Sequence, residues 1–316
     1  MIIGHERQVG YLNTVMELGR LGHAYLFYGP EHVGKLAIAK SLARALHCKN
    51  PKKKMTLDGA CGECADCRAI EADAHPQVVL LDPAHTLVSK KDVRKDIPIE
   101  DIRELKRMFS FAPEGGKWRI AIINEADTMT GDAADAFLKI LEEPGSQTLL
   151  ILISSAPDLL PPTLVSRTHA IRFAKVREAD IVEFLEREVG DKETVRAIAG
   201  RTFGCPGLAI RMARDKEYWE EEKKFASRFQ AAFVRTSDIL QMFVMVKDAA
   251  GDEEARRKLS EEILRTLHGR LRDPAGRGDM AGLAKKIRVA DRIYTLLATT
   301  NVNPRLALDA MTLEFK

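Results

Sequence analysis

Three clusters of residues in this sequence have types and spacings suited to chemistry. The first is Gly29-Pro-Glu-His-Val-Gly-Lys-Leu36. Its glycines permit a tight turn and close approach of a ligand, and its backbone N–H groups can cradle a polyphosphate. The start of a following helix would add a positive end, and Lys35 would reach the outer oxygens. Such a loop normally has Ser or Thr after the lysine, where the hydroxyl helps hold Mg²⁺. Leu36 stands there instead, so Gly29, Gly34 and Lys35 form a phosphate loop without its metal handle.

The second cluster is Cys48, Cys61, Cys64 and Cys67, spaced C-x12-C-x2-C-x2-C. Four thiolates at these gaps are good tetrahedral ligands, and structural zinc is the first reading. An iron–sulfur cluster fits less well, because no fourth cysteine followed by proline continues the pattern. Free surface thiols would be scattered, whereas three of these are separated by only two residues each. With four protein ligands, the ion would have no open catalytic position. The third cluster, Asn124-Glu125-Ala126-Asp127, follows an apolar run. A carboxylate pair at a strand end can hold Mg²⁺ through water and orient an attacking water. Here a neutral amide replaces the metal-side carboxylate, and an ordinary strand-to-loop cap would read the same way.

Positioning these clusters requires strands and helices in alternation. Ala24–Tyr28, 77–82, 118–124, 149–153 and 171–173 read as buried strands. Helical spacing is visible in residues 6–22, 37–46, 102–109 and 133–143, the last stopping before Pro144. Glu114-Gly-Gly-Lys117 reads as a turn, and Pro161–Thr168 as a short connector. Strands alternating with helices indicate an α/β fold, a parallel sheet covered on both faces. From Glu178 the pattern is helical only, with 175–215 as a small helical domain. Longer amphipathic helices follow around 218–234, 239–249, 253–272 and 280–299, and a last helix follows Asn301-Val-Asn-Pro304.

At 316 residues, with 45% hydrophobic and 30% charged residues, the chain can build two or three domains. A net charge of +3 does not suggest a strongly basic nucleic-acid binder. The basic runs Lys49–Lys54 and Lys90–Lys95 read first as solvated faces. No apolar stretch approaches the roughly 18 residues of a membrane span. The N-terminus lacks the apolar core of a signal peptide, and five cysteines suit a reducing compartment, so the expected location is cytoplasmic.

In order and spacing these pieces resemble the clamp-loader subunits of the AAA+ ATPases, specifically those of bacterial DNA polymerase III. The residues that carry the resemblance are Gly4-His5-Glu6, Gly22-His-Ala-Tyr25, Gly29–Lys35, the four cysteines, His75-Pro76 and Asn124-Glu-Ala-Asp127. Phe137-Leu-Lys139, Leu141-Glu-Glu-Pro144, Ser166-Arg167 and Asn303-Pro-Arg-Leu-Ala-Leu308 extend it across nearly the whole chain. The resemblance implies an AAA+ domain over 1–174 with an inserted zinc module at about 47–72. It further implies a helical lid over 175–216 and an all-α collar over 217–316. Implied partners are gamma/tau and delta subunits in a heteropentamer, together with the sliding clamp and primed DNA, and no membrane.

ATP is the ligand of active relatives, and the departures here count against its hydrolysis. Leu36 removes the metal hydroxyl and Asn124 the metal carboxylate. Relatives also carry a γ-phosphate arginine near Gly204-Cys-Pro-Gly207, and Gly207 occupies the expected place, with Arg211 close by. The implied role is that of a holoenzyme subunit with no ATPase or polymerase activity of its own. Arg167, in Ser166-Arg167-Thr168 where related loaders have Ser-Arg-Cys, is then an arginine finger acting in trans. Local pairing on the surface is the ordinary alternative for such an arginine. Two further alternatives are an active ATPase motor of the gamma/tau kind and a stand-alone DNA- or metal-binding regulator. A small-molecule kinase lacks both a substrate pocket and metal ligands in this sequence.

Overall fold

The computed structural model describes residues 2–52, 56–88, 94–110, 117–235, 239–272, 280–299 and 302–315. Parts of both basic runs (53–54 and 90–93) and of the turn at 114–116 lie outside them. Packing divides the chain into two compact units, Met1–Ile210 and Arg211–Lys316.

The first unit begins with α1 (Glu6–Glu17), β1 (Ala24–Tyr28), α2 (Lys35–His47) and α3 (Ala65–Glu71). It continues through β2 (Val78–Leu81), α4 (Ile99–Phe109), β3 (Arg119–Ile123), α5 (Gly131–Glu142), β4 (Thr148–Ser154), α6 (Pro162–Val165) and β5 (His169–Arg172). Then come α7 (Glu178–Glu188), α8 (Lys192–Thr202) and α9 (Pro206–Arg214), the last of which contains the division between units.

The five strands form one sheet in the order β2-β3-β4-β1-β5, and every pairing is parallel. Parallel strands need crossovers, and the crossover helices cover both faces, so β1 to β4 read as nearly unbroken apolar runs. Alternation along each strand divides the side chains between two cores. In β1, Tyr25 and Phe27 join Leu12, Ile38 and Leu42 of α1 and α2 on one face. Ala24 and Leu26 join Leu105 of α4 and Phe137 and Leu141 of α5 on the other. The fully buried β4 supplies both cores in turn.

The structure refines several boundaries. α1 stops at Glu17, and Gly19 at φ +64° turns the chain well before residue 22. The connector at 161–168 contains the single helical turn α6. β5 starts two residues earlier than the apolar run suggests, because it is an edge strand with largely exposed side chains.

The second unit is helical, comprising α10 (Lys216–Phe229), α11 (Ile239–Ala250), α12 (Glu253–Arg272), α13 (Met280–Thr299) and α14 (Pro304–Phe315). A wide π-type turn, Gln230–Arg235, prolongs α10. Phe229, Met242, Val246, Leu259, Ile263, Leu267, Leu308 and Met311 meet in its core. None of the described helices is long and apolar enough to cross a membrane.

Candidate functional site: a closed phosphate loop, a thiol cluster and a tethered arginine

The loop 29–36 joins the C-terminal end of β1 to the first turn of α2, and β1 lies between β4 and β5. In open α/β sheets the crevice at the carboxyl ends of the strands is where ligands dock. Gly29 adopts φ +137°, and a Cβ there would stand 2.0 Å from the Phe173 carbonyl oxygen. Only glycine therefore lets the loop leave the sheet at this point. Gly34 at φ +104° opens α2, while His32 holds the same left-handed region at φ +58°.

The loop is satisfied by its own chain. The Lys35 ammonium is buried and donates to the carbonyls of Gly29 and Pro30, both at 2.6 Å. Burial pulls its pKa down to about 8, against the opposing pull of Glu31, Asp127 and Cys205. From the N-terminal side, the buried His5 ring donates from Nε2 to the Val33 carbonyl at 2.7 Å. From α9, the Gly207 amide donates to the His32 carbonyl at 2.8 Å. That approach is close enough that a Cβ on Gly207 would lie 2.9 Å from the His32 oxygen. Leu36, in the first turn of α2, is half-buried and packs against the core.

Asn124 follows β3, its amide donating to the Leu81 carbonyl at 2.8 Å. Glu125 adopts φ +54°, and burial, reinforced by Asp82, Glu31 and Asp127, raises its pKa. Asp127 accepts from the Ser155 amide at 3.3 Å, linking the ends of β3 and β4. The sequence-derived positions Lys35, Asn124, Glu125 and Asp127 thus occur where strands of one sheet end. Arg211, the other candidate cation, stacks over the Tyr218 ring at 3.9 Å.

The four cysteines converge. One sulfur from each of Cys48, Cys61, Cys64 and Cys67 lies within 4.8 Å of all the others. Tetrahedral Zn–S bonds of about 2.3 Å place sulfurs roughly 3.8 Å apart, so the cluster fits such an ion with a small contraction. Backbone amides already point at the sulfurs: Cys61 N–H at Cys48 Sγ (3.3 Å), Cys64 N–H at Cys61 Sγ (3.3 Å) and Cys67 N–H at Cys64 Sγ (3.5 Å). Burial opposes ionisation of Cys64, but amides of Cys67 and Lys49 outweigh it and bring its pKa to about 6. Burial pushes Cys67 up to about 12. A bound cation would relieve this tension, because a coordinated thiol gives up its proton.

Cys48 caps the end of α2 and Cys64 the start of α3, so the cluster joins two helices. The module is also tied to the sheet. Asp66 of α3 receives the Lys117 ammonium at 3.2 Å and faces Lys49 at 3.5 Å.

Arg167 lies between α6 and β5 with its side chain 41% exposed. Its guanidinium pairs with Glu142 Oε1 at 2.9 Å and donates to the Thr163 carbonyl at 3.2 Å. Within this chain it is a locally paired surface arginine. His5, His32 and Glu142 stood inside motifs of the sequence without a role of their own, and Asp66 was not singled out. Glu142 was visible in Leu141-Glu-Glu-Pro144, but nothing local linked it to Arg167.

Residues 4–177 match the family described as DNA polymerase III, delta subunit. The DNA polymerase III subunit delta' of Pseudomonas aeruginosa is 33% identical over 192 residues, 60% of this chain and 55% of that protein. The subunit delta' of Bacillus subtilis is 29% identical over 232 residues, 72% of this chain and 65% of that protein. The gamma/tau subunit of Mycobacterium tuberculosis is 32% identical over 172 residues, 54% of this chain and 28% of that protein. The matched region thus spans 55% to 65% of the length of the two delta' relatives. A crystal structure of a DNA polymerase III gamma subunit-related protein from Thermotoga maritima aligns over 98% of both chains, with a TM-score of 0.51 and 19% identity. At that identity the likeness is one of fold. With a phosphate loop at the head of a five-stranded parallel sheet, and a family match over more than half its length, this chain belongs to the DNA polymerase III delta-subunit family, among relatives of the delta' kind.

Proposed function

We propose that this chain is a delta'-type subunit of the bacterial clamp loader that does not hydrolyse ATP and lends Arg167 to a neighbouring ATPase subunit. One observation carries the first half. Where a hydroxyl and a carboxylate would hold Mg²⁺, the chain has Leu36, half-buried against the core, and Asn124. Phosphoryl transfer rests almost wholly on positioning and electrostatic stabilisation, so losing both metal handles removes most of the catalytic means. The second half rests on Arg167, a fork of donors with 41% of its side chain exposed. An arginine finger acting on another subunit's nucleotide contributes on the order of 10³–10⁵ in rate in other NTPases.

In this reading residues 1–174 form the AAA+ domain, 175–216 the helical lid and 217–316 the collar through which gamma/tau and delta subunits assemble into a heteropentamer. The assembly would act in the cytoplasm on the sliding clamp and primed DNA. Cys48, Cys61, Cys64 and Cys67 would hold zinc as a structural ion, its four positions filled by protein. Zinc there would supply crosslinking of α2 to α3 and no reaction chemistry.

The test is ATPase activity in a reconstituted loader. Arg167→Ala should lower DNA-stimulated turnover while leaving assembly intact, and unchanged turnover rejects the finger. Turnover by the isolated chain that disappears in Lys35→Ala rejects the non-hydrolysing role. A second reading, an active motor, draws on the 32% identity to gamma/tau subunits. Nucleotide titration with and without Mg²⁺ separates the two, since only the motor should show tight Mg²⁺-dependent binding.

A further inference from the structure

We infer that Glu142 is the positioning residue for Arg167, holding the guanidinium in the direction from which it meets an anionic ligand on another subunit. The inference rests on the finger reading above and assigns a second residue to it. Glu142 is the last residue of α5, with Glu143 as the C-cap. Carboxylates at a helix C-terminus face the negative end of the macrodipole and are unfavourable there. Helix stability therefore does not account for an acidic residue at 142. What it faces does: Glu142 Oε1 lies 2.9 Å from an Arg167 terminal nitrogen.

The second terminal nitrogen donates to the Thr163 carbonyl at 3.2 Å. The guanidinium is thus bracketed between the end of α5 and the turn of α6 that carries it. Among the described residues these two contacts use only part of an arginine's five N–H donors, leaving a fork suited to phosphate oxygens. The pair is half-exposed on both sides, 41% for Arg167 and 50% for Glu142. Such pairs are weak in water, so this one can orient a long, flexible side chain and still yield to a more highly charged phosphate. Pre-ordering the side chain lowers the entropy lost when the ligand is met.

The experiment uses the reconstituted loader containing the full chain, with ATP and primed DNA. Glu142→Gln should lower kcat about 2- to 5-fold, the range an exposed pair supports, and leave the KM for ATP unchanged. Losing a carboxylate at the helix end should not lower the melting temperature, which separates this effect from unfolding. In an Arg167→Ala background, Glu142→Gln should cause no further loss, since the two act as one unit. An unchanged or raised kcat in Glu142→Gln, with Arg167→Ala still impaired, overturns the positioning role and leaves the finger standing. An additive loss in the double variant overturns it too. If Arg167→Ala itself leaves turnover unchanged, the finger reading fails first.

Discussion

Gly207 is the position where a small perturbation tests how the phosphate loop is kept closed. Its amide donates to the His32 carbonyl at 2.8 Å, and a Cβ would stand 2.9 Å from that oxygen and 3.3 Å from His32 Cα. Gly207→Val puts three carbons into this contact, so α9 and the loop must separate. The lost hydrogen bond contributes about 0.5–1.5 kcal/mol, and forcing carbon into a packed joint costs about 1–3 kcal/mol. The sum is a destabilisation of about 1.5–4.5 kcal/mol, or a melting shift of roughly 5–13 °C at about 3 °C per kcal/mol. Gly200, in the interior of α8, has nothing within 4 Å of its virtual Cβ. Gly200→Ala should therefore stabilise the chain by about 0.5–1 kcal/mol, as glycine in a helix costs that much relative to alanine. Calorimetry gives both shifts, and hydrogen exchange locates them. In Gly207→Val, amide protection should fall most in residues 32–34 and 207, with β1 and β4 losing no more than the global destabilisation itself. A Val variant within 0.5 kcal/mol of wild type, or one that keeps protection at Gly207, would show that this contact does not hold the loop.

The other tests reach the lysine and the thiols. Lys35 has a folded pKa of about 8 and an unfolded value of 10.5, so between those values the unfolded chain binds more protons. Stability should therefore rise as pH goes from 8 to 10.5, by at most about 3 kcal/mol. The gain shrinks to the extent that the two carbonyl hydrogen bonds favour the ammonium. Urea titrations of wild type against Lys35→Met isolate this group, and a difference that is flat or falls with pH contradicts a buried, desolvated lysine. For the cysteine cluster, native mass spectrometry should find one metal ion per chain. Chelation should abolish exchange protection in α3 while the sheet keeps its own, and protection of α3 that survives chelation shows the module needs no ion.

How much of this could be read from the residues depends on whether the cause was local. Strands β1 to β4 were legible because they are buried along most of their length, which makes each a nearly uninterrupted apolar run, whereas the exposed edge strand β5 was legible only from its Ile171 onward. The cysteine cluster was legible because a tetrahedral ligand set fixes short spacings, and the tight turn after β1 because its glycines mark it. Helix α3 was not, because its N-cap is Cys64, whose sulfur accepts from the Cys67 amide in the place of the usual Ser or Asp oxygen. A ligand set concealed a capping signal. The single turn α6 lies behind Pro161–Pro162 and buries only Leu164, too little to show a period. The Arg167–Glu142 pair joins elements 25 positions apart in the sequence, and no pattern within either element requires it.

Gly207 shows where sequence and structure add to one another. Against the pattern of active relatives it reads as a missing arginine, a loss of charge beside a nucleotide site. Its place in the fold supplies a second cause. The partner of its amide is a backbone carbonyl, which every residue type at 32 would provide, so no side-chain signal marks the contact in the sequence. Only the absence of a Cβ on Gly207 allows α9 to approach this closely. An arginine at 207 would have to displace either α9 or the loop. In the non-hydrolysing reading proposed above, the residue that removes the charge is also the one that permits the joint, and restoring the arginine alone would part α9 from the loop while position 36 still lacked a hydroxyl and position 124 a carboxylate.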